Sequence, residues 1–533
     1  MSPAAIGPTT GPNGHPTGRL DDIELSATVA KVLDRWPSVG LAVGIVRGDS
    51  LAWFRGCGLA DTAARTPITE DTVFRIGSIT KTFTAIAVMQ LWEQGLVDLD
   101  APANDFLRAF RLVPVKAGLR PPTVRHLLTH TAGLGYWRRL SDLLRPGVGS
   151  GVRARRAGAP PLARYYRRGL PVEVEPGTKW MYSNHGFATL GQIVEDVSGQ
   201  PLDRHLRERI FEPLGMEHTD LIRSERVRPQ LATGYSLNSH GLRPVEDREV
   251  LAVGAGAAYS TTADLASYVK ALLGGGAGGH ASVLQPETLA VMFDSHFPPD
   301  PRVPGMGLGF LRGDENGHRT VGHDGIVSGF LSQLTIAPED GIGVVVLGNT
   351  GALDGRGAPA PLGNALLRRL LSLPDTALRT DLPPRPETWN EVCGWYGPDP
   401  GPVTNLFIRA FMGAGAEVKV DGGHLVLKPL IPIPALRRGW RLYPDDAHDP
   451  TVFRVDFSQL GKGTLRVVFS GGSGSKATAQ RMFLDVMSFR KRPDIRNPRP
   501  WAAVALAGGA ALAMRRRRLA HDSPTHAEGN SGR

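Results

Sequence analysis

Cysteine is nearly absent from this chain. Its 533 residues hold two, Cys57 and Cys393, far apart in the sequence. That excludes a disulfide framework and fits a reducing compartment. Zinc-finger spacing, a phosphate-binding glycine loop and aromatic-studded basic strands are also missing. The net charge of +10 and the pI of about 9.8 therefore do not point to nucleic acid. Residues Met1 to Gly18 lack a basic stretch leading into an apolar one, so they read as a disordered tail rather than a secretory signal. The expectation is a cytoplasmic protein.

Long apolar runs are scarce too. Trp501 to Met514 is apolar for fourteen residues and is followed by Arg515-Arg516-Arg517-Arg518. Fourteen helical residues reach about 21 Å against roughly 30 Å of hydrocarbon, too short for a span. The segment reads either as a frayed tail helix or as a membrane-surface anchor with a basic patch, giving weak membrane association through the C-terminus.

What is present is ordinary globular material, 41% hydrophobic and 21% charged, in a chain too long for one core. Leu25 to Trp36 has helical periodicity. Gly40 to Arg47 and Leu51 to Gly56 read as strands joined at Gly48-Asp49-Ser50. Phe83 to Trp92 is an almost wholly apolar helix stopped at Gly95. Further helices are expected over Phe187 to Val197, Pro201 to Phe211, Thr261 to Leu273, Leu284 to Phe293 and Asn364 to Leu373. Strands are expected over Met306 to Leu311, Arg319 to Gly322, Phe330 to Ala337 and Gly341 to Gly348. Arg138 to Arg168 holds nine arginines against one acid, Asp142, and reads as a basic surface insertion or a lid.

Beyond a Pro-rich linker at 376–387 the character changes to short strands and glycine turns, with Gln480 to Phe489 read as the last strand. The predicted organisation is a disordered tail at 1–20, an α/β domain at 21–375, the linker, and a small antiparallel β-rich domain at 388–492. A tail with the short apolar segment and basic cluster follows at 493–533.

Three motifs carry chemistry. Ser78-Ile79-Thr80-Lys81 opens the apolar helix, so Ser78 lies at its positive end with Lys81 one turn on, on the same face. A serine nucleophile with a lysine helper needs that geometry. Three other Ser-x-x-Lys matches occur, at Ser267, Ser473 and Ser488, but none precedes a long apolar helix. Serine is also a favoured helix cap, so the segment alone leaves that reading open. Tyr182-Ser183-Asn184 is the only Tyr-x-Asn among nine tyrosines and follows Ser78 by 104 residues. His323-Asp324-Gly325 is the only His-x-Gly among fifteen histidines and follows by another 141. His126 and His130 are four apart, but no third ligand lies nearby at a suitable spacing, so they read as structural. No metal or cofactor is expected.

Order and spacing together resemble the serine β-lactamase and penicillin-binding superfamily, in its class C-like branch of esterases and D-aminopeptidases. The resemblance covers about residues 21 to 375. His126-Leu127-Leu128-Thr129-His130-Thr131-Ala132-Gly133-Leu134 and the stretch Gly256 to Leu265 are similar to segments of that branch. The resemblance implies an antiparallel sheet flanked by helices with a helical subdomain, and a trailing barrel-like accessory domain. It implies Ser78 as acylated nucleophile, Lys81 and Tyr182 as the proton-handling pair, and Asn184 as a partner of lysine and substrate amide. The Ser78 and Ile326 amides would form an oxyanion hole, with His323 and Gly325 lining the substrate.

Lysine and tyrosine both have ordinary pKa values near ~10, so one must be perturbed to act as base. Spacing leaves open which. The chain departs from β-lactamases at the third motif, where His323 stands in place of a lysine and is expected to donate a weaker hydrogen bond to a substrate carboxylate. The expected function is an acyl-enzyme hydrolase of carboxylic esters or small amides. The alternatives are a D-aminopeptidase or β-lactamase-type amidase, and a non-catalytic binding or membrane-docking protein that keeps the fold.

Overall fold

A computed structural model describes residues 20–137, 161–238, 241–274, 283–351, 356–398, 415–429, 438–461, 463–471 and 479–493. The N-terminal tail, most of the arginine-rich insertion, Trp501 to Met514 and Arg515 to Arg518 lie outside these residues. Among the described residues no helix is long and apolar enough to cross a membrane. Cys57 and Cys393 are free thiols.

The centre is a seven-stranded antiparallel sheet. Its strands are β1 (Gly40–Arg47), β2 (Ser50–Asp61), β3 (Thr66–Pro67), β4 (Leu311–Glu315), β5 (His318–Val327), β6 (Phe330–Ala337) and β7 (Ile342–Gly348), in the spatial order β4-β5-β6-β7-β1-β2-β3. Helices cover both faces, which is why the central strands are apolar throughout. Side chains alternate along a strand. Leu41, Val43 and Ile45 of β1 and Val344 and Val346 of β7 pack with Leu25 and Val29 of α1 (Asp22–Arg35), and with Leu362 and Leu366 of the helix Pro359–Leu370. Ala42 and Val46, with Val345 and Leu347, face the other way. They join Phe83, Ile86 and Val88 of α2 (Thr80–Glu93), Phe187 and Leu190 of α3 (Asn184–Ser198), and Leu265 and Val269 of α4 (Thr262–Gly274).

Helix α2 ends as its glycine implies. Gly95 takes φ +70°, and Leu96 N–H closes onto Leu91 O at 2.9 Å. Three expectations need correction. The strand expected over Met306 to Leu311 lies at Leu311–Glu315, with Met306 and Leu311 forming only an isolated bridge. His323-Asp324-Gly325 sits within β5 rather than at the end of a strand, because Gly325 continues the ladder opposite Ser332. Gln480 to Phe489 is a hairpin rather than one strand, its turn made where Asp485 takes φ +47°.

The C-terminal part is a closed eight-stranded antiparallel barrel, each strand pairing with the next and the first, Gly394–Pro398, closing onto the last, Met487–Arg492. Alternation again sorts its side chains. Phe453, Val455, Val467, Phe469, Met482 and Leu484 fill the barrel. Their neighbours Val452, Val468 and Phe483 form a separate apolar patch with Val303, from the loop before β4. Arg302 of that loop donates to Asp449 Oδ2 at 2.8 Å, Thr451 Oγ1 at 2.7 Å and Phe469 O at 3.1 Å.

Candidate active site

Ser78 lies in a single 3-10 turn, Gly77–Ile79, that runs directly into α2. It is half-buried, whereas the residues on either side of it are buried. Gly77 makes this turn feasible with φ +51°, and a Cβ there would lie 2.8 Å from the Ile326 nitrogen. Gly325 is equally constrained, since its Cβ would sit 2.0 Å from Ile76 O and 2.1 Å from Ser332 Oγ. Ser332 Oγ instead donates to Ile76 O at 2.8 Å, tying β6, the neighbour of the strand bearing the third motif, to the residue preceding the turn.

Lys81, one helical turn on, is wholly buried. Its Nζ has three partners: Ser78 Oγ at 2.9 Å, Asn184 Oδ1 at 2.9 Å and Ala255 O at 2.7 Å. Its nitrogen also lies 4.8 Å from the Tyr182 ring centroid and 5.7 Å from that of Phe187. Burial holds its ammonium well below the ordinary lysine range. Tyr182 Oη donates to Ser78 Oγ at 2.8 Å, and burial pushes its phenol up. Asn184 is the first residue of α3, buried with its amide turned to the lysine. Ser78, Lys81, Tyr182 and Asn184 therefore meet. Ile326 lines the same narrow cleft as Ser78 and Asn184, with Val250, Ala252, Ala255, Gly256 and Val327.

His323 is buried, its ring centroid 6.2 Å from that of Tyr182. Its Nδ1–H donates to the carbonyl of Asp324 at 2.7 Å. That fixes the neutral tautomer and leaves Nε2 as a buried acceptor without a hydrogen-bond partner. Burial, and then the charge of Lys81, hold the imidazole down to about 3. The sequence reading had this residue donating a hydrogen bond outward. The structure turns that donor back onto its own strand.

Three further features hold the site. The Ala255 carbonyl takes one lysine N–H, and a backbone group leaves no mark in sequence beyond the small-residue stretch around it. Thr80 Oγ1 donates to Gly77 O at 2.6 Å and accepts Ala258 N–H at 3.0 Å, joining the turn to that stretch. His130, at φ +57°, accepts Ser183 N–H on Nδ1 at 3.2 Å and Met181 N–H on its carbonyl at 2.7 Å, and its ring lies against Tyr182 at 4.5 Å. His126 accepts Thr123 N–H at 3.1 Å in a capping box. Both histidines are thus engaged in shaping the turn.

A sheet covered on both faces, with a serine, lysine and tyrosine gathered at the start of its buried helix, defines the β-lactamase/transpeptidase fold class. The chain belongs to the beta-lactamase family, whose profile matches residues 25–367. It is 36% identical over 220 residues to esterase EstB of Burkholderia gladioli, a match covering 39% of this chain and 55% of the relative. It is 30% identical over 336 residues to penicillin-binding protein 4 of Amycolatopsis lactamdurans, covering 59% of this chain and 81% of the relative. The octameric penicillin-binding protein homologue of Pyrococcus abyssi superposes with TM-score 0.57 at 25% identity, covering 89% of this chain and all of that one.

Proposed function

We propose that the protein is a serine hydrolase that forms an acyl-enzyme on Ser78 with uncharged carboxylic esters or small amides. The observation that carries this is the Ser78–Lys81–Tyr182–Asn184 network. Asn184 Oδ1 and Ala255 O can only accept, so each takes a lysine N–H. The remaining position on Nζ faces Ser78 Oγ. In the neutral lysine that burial favours, this position is the lone pair, aimed at the serine proton. Tyr182, held neutral, donates to the same oxygen from another side. On this reading Lys81 is the base and Tyr182 the proton donor.

In the reaction Ser78 Oγ attacks the carbonyl carbon as its proton passes to Lys81. Negative charge gathers on the carbonyl oxygen, where the N–H groups of Ser78 and Ile326 would receive it; one such donor is typically worth about 3 kcal/mol. Collapse breaks the bond to the leaving oxygen or nitrogen, which takes a proton from Tyr182, itself replenished from the lysine ammonium. Water then repeats the sequence on the acyl-enzyme.

The uncharged substrate follows from His323 and from the cleft. Beside Ser78 and Asn184 the cleft is lined by uncharged residues, Val250, Ala252, Ala255, Gly256, Ile326 and Val327. At the third motif there is no cation for a carboxylate: His323 is buried and its Nδ1–H is engaged with the Asp324 carbonyl. The esterase relative agrees with this reading. The test is hydrolysis of a short-chain p-nitrophenyl ester by the wild type and by Ser78→Ala. Loss of turnover with an unchanged circular dichroism spectrum supports it, and unchanged turnover removes Ser78 from the mechanism.

A further inference from the structure

The barrel contacts two segments that adjoin the Ser78 site. On one side is Met181, next in sequence to Tyr182. Its backbone is held by His130, but its side chain is buried in the apolar cluster that includes Trp389, Val392, Tyr396 and the barrel interior. On this non-helical stretch the two neighbouring side chains go to different places, Met181 to the barrel's cluster and Tyr182 to Ser78. On the other side is Asp314 of β4. Two arginines projecting from the barrel approach its Oδ1, Arg466 at 3.3 Å and Arg454 at 3.7 Å. Asp445 of the barrel fixes both, accepting from Arg454 Nε at 2.9 Å and Arg466 Nε at 2.8 Å. Strand β4 pairs directly with β5, which carries His323 to Ile326.

We propose that the C-terminal barrel is a brace for the catalytic site, with Met181 the positioning residue through which it sets the Tyr182 hydroxyl against Ser78. The inference rests on the serine-hydrolase reading above. Met181 touches no reacting atom; it acts by what it does to its neighbour. The segment is also held by Ser183 N–H on His130 Nδ1 at 3.2 Å and Ser183 Oγ–H on Gly135 O at 2.9 Å, neither of which involves the barrel. Loss of the barrel contact would remove the anchor on the residue next to the tyrosine. A shift of about 1 Å in a positioned group is enough to cost up to ~10²-fold in rate.

The test is a graded series in the full chain, Met181→Leu, Met181→Val and Met181→Ala, assayed on the p-nitrophenyl ester. Turnover is expressed per Ser78 labelled by a fluorophosphonate probe, so that unfolded protein does not count. The expected result is kcat close to wild type in Met181→Leu and falling progressively, to roughly a tenth or below, in Met181→Ala. KM should stay within about twofold, because ground-state binding is untouched. The pH at which the acid limb turns should also stay unchanged, since it reports Lys81 and not Tyr182. Flat kcat per labelled site across the series overturns the proposal, as does a loss confined to KM. If Met181→Ala does not fold, Met181→Val decides. The two readings fail separately. A Ser78→Ala variant that still hydrolyses ester removes the active site, whereas a dead Ser78→Ala beside a flat Met181 series removes the brace alone.

Discussion

Asn184 Oδ1 accepts an N–H of Lys81 at 2.9 Å, and with the Ala255 carbonyl it dictates which side of the lysine nitrogen faces Ser78. Since only the neutral amine can take the serine proton, the rate of ester hydrolysis should climb with pH through a value below the ordinary lysine range and then level off. In Lys81→Arg the guanidinium stays protonated and cannot act as base, so kcat should drop about 10²- to 10⁴-fold and the acid limb should vanish. A pH–rate profile of both proteins checks this. An acid limb that survives in Lys81→Arg assigns the base elsewhere.

Tyr182→Phe separates the two members of the pair. It deletes the hydroxyl 2.8 Å from Ser78 Oγ but leaves the lysine and its partners in place. The expected outcome is a kcat lower by roughly 10²-fold or more, with the acid limb retained at its wild-type position. An acid limb that disappears with the hydroxyl would make tyrosinate the base.

Gly325 has no space for even one methyl group, its Cβ position lying 2.0 Å from Ile76 O. Gly325→Ala must separate β5 from the turn that carries Ser78, and with it the Ile326 amide from the cleft. Activity should fall at least tenfold and stability by about 1–3 kcal/mol, measured by ester assay and urea unfolding. Retention of both would mean that the two segments yield at little cost.

The parts legible in sequence were those where both sides of an element are covered. Gly40 to Arg47 is a near-continuous apolar run because helices bury both faces of the sheet, and the structure has a strand at those same residues. That Ser78, Tyr182 and His323 lie near one another was legible through their spacing. What escaped was carried by backbone or by long-range register. The Ala255 carbonyl has no side-chain signature. Glycine at 325 reads as a break although the ladder runs through it. Trp395 and Tyr396 begin a barrel strand, but Gly394, Gly397 and Pro398 around them hide its alternation. The outward-facing Arg454, Arg466 and Val468 look like surface until the docked loop and β4 are in place.

His323 governs acidity in two ways. Its ordinary value is 6.5 and the fold holds it at about 3, so between these the unfolded chain binds a proton that the native protein does not. The sign is therefore a loss of stability as pH falls from about 6.5 toward 3, with a slope near ~1.4 kcal/mol per pH unit for one proton. His323→Gln should flatten the dependence of unfolding free energy on pH by about one proton across this window. An unchanged slope would mean that the imidazole protonates in the native state.

The same residue sets a substrate preference. The wild type should turn over penicillin far more slowly than a short-chain ester, because the third motif holds a buried imidazole, its Nδ1–H engaged with Asp324 O, in place of a cation. His323→Lys should shift the ratio of the two kcat/KM values toward the carboxylate-bearing substrate by about tenfold or more. Penicillin turnover rivalling that of the ester in the wild type would refute this.

The most direct measurement is intact-mass spectrometry of the full chain after brief exposure to a mixed library of esters, amides and β-lactams, followed by peptide mapping. The account predicts one covalent acyl adduct, on Ser78, formed from uncharged esters or small amides and absent in Ser78→Ala. An adduct on another residue, or hydrolysis that proceeds with Ser78 replaced, would contradict it.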